Sequence, residues 1–182
     1  MLAARHGGAA RSCVASEHGQ PAFLRCQRGA IKEPMQILMV CLGNICRSPT
    51  AAAVLAEHAR RAGVDIDVDS AGTTDWHAGK PADPRTIAHA HKRGIDLTPH
   101  RARQVTDEDF ARFDRIYGMD NSNVTKLQRR ADHAYHPKIA LLLGDDEVPD
   151  PWAGGPEDFE RVLDLCELAA RRIVAELRGA AA

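Results

Sequence analysis

The sequence predicts an α/β fold, a single open sheet of about four parallel strands with helices on both faces. Three observations predict it. Apolar strand-like runs alternate with helical stretches from Met35 onward, the first run is apolar without a break, and the last helical stretch carries a continuous apolar stripe. An unbroken apolar run suits a strand covered on both sides, and a stripe at 3-and-4 spacing suits a helix laid on a sheet. Taken in order, Ile37, Leu38, Met39 and Val40 form the first strand. Residues 48–62 form the first helix, with Ser48 as its candidate cap, Pro49 at the first helical position and Gly63 just past the end. Residues 64–69 alternate with period 2 as a second strand, and residues 83–93 read as a helix ended by Gly94. Residues 115–119 form a third strand, Asp120 caps a helix through Arg130, and residues 139–143 form the fourth strand. Residues 156–178 close the chain as a long helix, on which Phe159, Val162, Leu163, Cys166, Ala169, Ala170, Ile173, Val174 and Leu177 share one face.

Length and composition set bounds. A chain of 182 residues supports one domain with a sizeable core. That core must be aliphatic, because only eight residues are aromatic (two Trp, two Tyr, four Phe). With 24 basic and 25 acidic side chains the net charge is −1, which gives no general attraction to nucleic acid or an anionic membrane. No apolar run approaches the length of a membrane span, and the first 29 residues lack a secretory apolar core, so a soluble protein is expected. Five cysteines, an odd number, in a chain large enough to fold without staples indicate reduced thiols and a cytoplasmic location. Composition shifts near Pro34: the segment before it is rich in Gly, Ala, Arg and Ser and shows no periodicity. Residues 1–34 are expected to be a disordered extension or a misassigned start, with Met35 as the alternative initiator, and residues 35–182 the functional domain. Removing the extension's five bases and two acids leaves 19 basic against 23 acidic residues, a mildly acidic domain.

The chemistry concentrates between the first strand and the first helix, in Cys41, Leu42, Gly43, Asn44, Ile45, Cys46, Arg47 and Ser48. In an open α/β sheet, ligands bind beyond the carboxyl ends of the strands, where the next helix presents unpaired N–H groups. An anion fits there. The seven residues from Cys41 to Arg47 are enough to turn successive N–H groups inward as a nest, with Gly43 expected to take a backbone conformation barred to other residues. Arg47 closes the loop and can reach two oxygens of a phosphate with its planar fork. Cys41 lies at the base, where N–H groups, helix dipole and guanidinium all favour the thiolate.

Cys-x5-Arg-Ser in this position resembles the loop of the low-molecular-weight protein tyrosine phosphatases, and the resemblance runs from Met35 to the end. Three further segments agree with that family: residues 69–73 (Asp-Ser-Ala-Gly-Thr), residues 74–77 (Thr-Asp-Trp-His) and residues 150–152 (Asp-Pro-Trp). The resemblance implies hydrolysis of phosphotyrosine and small aryl phosphates. Cys41 would attack phosphorus to form a phosphocysteine, and Arg47 with the N–H groups of Leu42, Gly43, Asn44, Ile45 and Cys46 would bind phosphate. Asp150 would protonate the leaving phenolate and then activate water. It also implies that Ser48 donates to the thiolate, that Asn44 holds the loop together with Ser70 and His100, and that Trp76 and Trp152 wall a deep slot. Many relatives have a second aromatic where this chain has Ala153, so the slot is expected to be wider on that side. Relatives with a cysteine at the position of Cys46 form a reversible disulfide with the nucleophile, which implies the same pairing of Cys46 with Cys41 and reversible inactivation by peroxide. Cys166 reads as core, and Cys13 and Cys26 fall in the extension.

Other readings fare worse. Arsenate reductases of the same fold need further redox cysteines downstream, where this chain has only Cys166. Phosphoarginine hydrolysis is found in relatives with threonine in place of Ile45. A non-catalytic phosphotyrosine-binding module would need neither Cys41 nor Asp150. The nine histidines include no set at metal-ligand spacing with thiol or acid partners, and nucleotide-binding glycine motifs are missing, so neither metal nor cofactor is expected. The partner class is a tyrosine-phosphorylated protein, tyrosine kinases among the candidates, with no nucleic acid or membrane and a monomer or weak self-association.

Overall fold

The computed structural model describes residues 33–180, so the reading of the extension lies outside the described residues apart from Glu33 and Pro34. Four parallel strands form one sheet: β1 (Met35–Cys41), β2 (Ile66–Gly72), β3 (Arg115–Gly118) and β4 (Ile139–Leu141), in the order β2-β1-β3-β4. Helices α1 (Arg47–Ala62), α2 (Pro84–Lys92), α3 (Asp107–Arg112), α4 (Asn121–Arg130) and α5 (Pro156–Gly179) connect and close it. The α/β fold with helices on both faces is as the sequence predicts, and side-chain alternation along β1 shows why. Ile37, Met39 and Cys41 pack with α1 and α5, while Leu38 and Val40 pack with Phe110, Phe113 and Leu127 on the opposite face. Of the nine apolar positions assigned to the closing helix, eight are buried, and Leu177 packs at the margin of the same cluster.

Several local expectations shift. The first helix begins one residue early, at Arg47, and Ser48 lies inside its first turn instead of capping it; the cap residue Cys46 makes no side-chain capping bond. Gly63 ends the helix in the left-handed conformation, and Val64 N–H still bonds to Ala59 O, so Val64 belongs to the cap and β2 starts at Ile66. At its other end β2 continues through Ser70, Ala71 and Gly72, whose partners Met39, Val40 and Cys41 lie under the loop. No apolar alternation marks those three residues; pairing with β1 makes them strand. The fourth strand is three residues long because the chain turns at Gly144, with φ +85°. Helix α3 and a 3-10 turn at His133–Lys138 carry too few apolar positions to be read from periodicity.

The strand order places the site. From β1 the chain steps to β2 on one side, and β3 then lies on the other side of β1, so the carboxyl ends of β1 and β3 diverge into a crevice. The loop after β1 occupies that crevice, Asp120 follows β3, and Asp150 follows β4.

Candidate active site

The loop from Cys41 to Ser48 is held from outside by its carbonyls. Cys41 O accepts from Thr73 N (2.8 Å), Leu42 O from Thr74 N (3.1 Å) and Thr74 Oγ1 (3.0 Å), and Ile45 O from Asp83 N (2.8 Å). Asn44 O accepts from His100 Nε2 at 2.7 Å, which fixes the proton on that nitrogen. A trans peptide is planar, so each outward carbonyl sends the following N–H the opposite way, into the loop. Leu42, Gly43, Ile45 and Cys46 thereby turn their N–H groups into the loop, joined by the uncapped start of α1.

Asn44 is the hub. It is fully buried and is the one non-glycine described residue with positive φ, at 56°. Its Nδ2 donates to Ser48 Oγ and Ser70 Oγ, each at 2.9 Å, and its Oδ1 accepts from Arg103 N at 2.9 Å. The unusual backbone expected at Gly43 therefore falls on Asn44, a residue that tolerates it through its short polar side chain. Gly43 is small for another reason: a Cβ there would lie 2.9 Å from His77 Cδ2. Arg103 in turn is held by Asp69 (2.8 Å) and Asp109 (2.8 Å), so the hub is tied to β2 and α3. Burial holds the His100 imidazole below its ordinary value, despite its bond to Asn44, so it stands neutral at pH 7.

At the base, Cys41 Sγ accepts from Asn44 N at 3.2 Å and lies 3.1 Å from Ser48 Oγ. The Asn44 N–H favours negative charge on sulfur, and the Ser48 hydroxyl lies within reach of the thiol, of Ala71 O and of Asn44 Nδ2. Arg47 is buried and doubly anchored: Nη1 donates to Asp120 Oδ2 (2.6 Å) and Val148 O (3.2 Å), Nη2 to Asp150 Oδ2 (2.7 Å). Burial opposes its charge, but Cys41, Asp150 and Asp120 outweigh that and push the guanidinium above its usual range. Asp120 has two jobs, since its Oδ1 also caps α4 through Asn123 N at 2.7 Å. The sequence revealed only the capping.

Above the thiol opens a cleft of about 440 Å³ lined by the loop, Arg47, Trp76, His77, Asp150, Trp152 and Ala153. Trp76 and Trp152 are 67% and 62% exposed, so they stand as rim walls and take no part in the core. Asp150 Oδ1 accepts from Trp152 N (3.1 Å), and Arg85 Nη2 donates to Trp152 O (3.1 Å), which fixes the rim beside the acid. Of the residues singled out in the sequence, Cys41, Leu42, Gly43, Ile45, Cys46, Arg47, Trp76, Asp150 and Trp152 line this cleft, while Asn44, Ser48, Ser70 and His100 are hydrogen-bonded to the loop outside its lining. Asp120, Arg103 and His77 were missed as site residues, because the contacts that bring them to the loop join residues far apart in the chain. Cys166 is fully buried in the core, its thiol pushed up to about 12 by burial, which removes it as a redox relay.

Comparison with known proteins agrees. The family model described as low molecular weight phosphotyrosine protein phosphatase matches residues 36–181. Low molecular weight phosphotyrosine protein phosphatase 1 of Drosophila melanogaster is 39% identical over 150 residues, covering 78% of this chain and 96% of the relative. The Sus scrofa enzyme of the same description is 39% identical over 151 residues, covering 78% and 95%. A crystal structure of the protein tyrosine phosphatase from Entamoeba histolytica superposes with a TM-score of 0.77 at 36% identity, over 81% of this chain and 99% of the other. Among the described residues no helix is long and apolar enough to cross a membrane.

Proposed function

The chain belongs to the low molecular weight phosphotyrosine protein phosphatase family and hydrolyses phosphotyrosine, and from that premise we propose how its own residues divide the work. Cys41 attacks phosphorus in line, with Ser48 and the Asn44 N–H sharing the charge on its sulfur. The inward N–H groups and Arg47 hold the equatorial oxygens as charge develops there. Asp150 gives its proton to the departing phenolate, whose conjugate acid has a pKa of about 10, a transfer typically worth 10²–10⁴-fold. A phosphocysteine remains, and the Asp150 carboxylate then removes a proton from the water that attacks it. Trp76 and Trp152 flank the ring of the substrate, and Ala153 widens one wall. The observation that carries this division is the convergence of Cys41, Arg47 and Asp150 on one cleft, with Asp150 bonded to Arg47 at 2.7 Å.

Hydrolysis of p-nitrophenyl phosphate tests it. Cys41→Ser abolishes turnover but keeps phosphate binding. Asp150→Ala slows esters of weakly acidic phenols far more than those of acidic phenols, and equal losses on both would remove Asp150 as the acid.

Oxidation supplies a second part of the reading. Peroxide takes the Cys41 thiolate to a sulfenic acid; Cys46 attacks that sulfur, hydroxide leaves, and the resulting disulfide returns to two thiols when an external thiol reduces it. Both cysteines are buried in the same loop and line the same cleft, which supports the pairing. The domain is residues 35–182, acting in the cytoplasm on tyrosine-phosphorylated proteins, kinases among them, as a monomer or weakly associated species.

A further inference from the structure

Cys46 stands in the wall between two spaces. One is the catalytic cleft; the other, on the side of α2 and α5, is a cavity of about 10 Å³ lined by Cys46, Thr86, His89, Phe159 and their neighbours. That volume is about what one water needs. The lining is polar where it meets Cys46. Thr86 is buried, at 4% exposed, and its Oγ1, which faces the Cys46 sulfur, has no hydrogen-bond partner of ordinary geometry. His89 is buried beside it, its ring stacked on Phe159 with centroids 5.6 Å apart. His89 Nδ1 is 2.5 Å from Glu160 Oε1. Hydrogen bonds from His89 and Arg93 hold the Glu160 carboxyl below its usual range, so it is a carboxylate and Nδ1 must be the donor. With Nδ1 engaged by Glu160, Nε2 is the ring nitrogen left to take part in a proton transfer.

Cys46 needs an acceptor. Burial, reinforced by Asp83, Cys41 and Asp150 and eased by Thr86, pushes its thiol up to about 12, so at neutral pH it is protonated and a poor nucleophile. Arg85 also acts on it from α2. We propose that the cavity takes one water bridging Thr86 Oγ1, Cys46 and His89, and that this water and the His89–Glu160 pair receive the Cys46 proton as its sulfur attacks an oxidised Cys41. The step balances: peroxide is the two-electron oxidant, the S–O bond of the sulfenic acid breaks as the S–S bond forms, hydroxide leaves, and the proton held on His89 returns to solvent to complete a water. The inference rests on the disulfide reading above and adds to it the route of the proton.

The test times disulfide closure after a stoichiometric pulse of hydrogen peroxide, with iodoacetamide quenching and mass spectrometry of the Cys41–Cys46 peptide. Thr86→Val and His89→Gln should each slow closure by at least about tenfold, less than the typical 10²–10⁴-fold of general acid–base catalysis because a water intervenes. Aryl phosphatase activity before oxidation should stay within twofold of the parent, and the double variant should be no slower than the slower single one, since both interrupt one path. Closure at the parent rate in both variants, or slowing by Asp150→Asn alone, would place the proton exit in the cleft and overturn the proposal. A second measurement needs no disulfide: in Cys41→Ser protein, alkylation of Cys46 by iodoacetamide at pH 7 should fall severalfold with His89→Gln. If the parent forms no disulfide, the oxidation reading fails and this alkylation ratio alone decides the proton route, an unchanged ratio refuting it.

Discussion

Replacing Asn44 with alanine separates two contributions that the structure assigns to one residue. The substitution removes two side-chain donors and one acceptor. Ser48 Oγ has Cys41 and Ala71 O as other partners, so it is not orphaned. Ser70 Oγ and the Arg103 N–H lose Asn44 and have no other bond in this network. Two unsatisfied groups at about 1–3 kcal/mol each give roughly 2–6 kcal/mol. Alanine must also adopt the left-handed backbone at φ 56°, which adds about 1–2 kcal/mol. Water entering the space left by the side chain brings the total to the low end, near 3–4 kcal/mol, a large share of the roughly 5–15 kcal/mol of a typical domain. Asn44→Gly loses the same hydrogen bonds without the backbone strain of about 1–2 kcal/mol, offset by about 0.5–1 kcal/mol for the larger chain entropy of glycine, so it should be more stable than Asn44→Ala by about 0.5–1 kcal/mol. Urea unfolding of the three proteins measures the differences, and p-nitrophenyl phosphate turnover should fall in both variants because the loop carbonyls lose their fixed direction. A loss below about 1 kcal/mol in Asn44→Ala would refute the hub. Equal stability of the two variants would refute the strain.

Gly43→Ala puts a methyl 2.9 Å from His77 Cδ2, the far end of a movable ring, so we expect severalfold lower turnover at little cost in stability; His77→Ala in the same protein should restore most of it, and failure to do so would move the cause to the loop backbone. Asp120→Asn keeps the cap on α4 but removes a charge from Arg47, so turnover should drop by about tenfold with a smaller change in unfolding free energy, and Asp120→Ala should lose both. His100 binds its proton less readily folded than unfolded, because burial lowers its value from 6.5. The unfolded chain therefore gains a proton first as pH falls, and stability should decline as pH drops below 6.5 until the folded imidazole also takes up its proton. His100→Gln, which can still donate to Asn44 O and does not titrate, should flatten that slope in chemical unfolding; an unchanged slope would show that other groups set it.

How much of this was legible follows from range. The strand of Ile37 to Val40, the loop from Cys41 to Arg47 and the stripe on α5 are written in neighbouring residues, where periodicity and spacing act directly. Asp150 was singled out by the resemblance of residues 150–152 to the family's Asp-Pro-aromatic segment, and it lines the cleft beside Arg47. The polar end of β2 was not, because Ser70, Ala71 and Gly72 become strand only by pairing with β1. The backbone role placed on Gly43 fell to Asn44, since no local pattern says which of two adjacent small residues will carry the positive φ when donors from four outside residues fix the carbonyls.

The sequence by itself determined the layered α/β architecture and the loop between the first strand and the first helix, and it singled out Cys41 and Arg47 as candidates there, because each depends on residues close in the chain. Only the tertiary structure decided which carboxylates face Arg47, that Asp120 supports it from behind while Asp150 meets it at the cleft, and that Cys46 backs onto Thr86 and His89. The two Arg47 pairings join residues 73 and 103 positions apart, and electrostatics acts through space over a few ångströms, with no regard to separation along the chain.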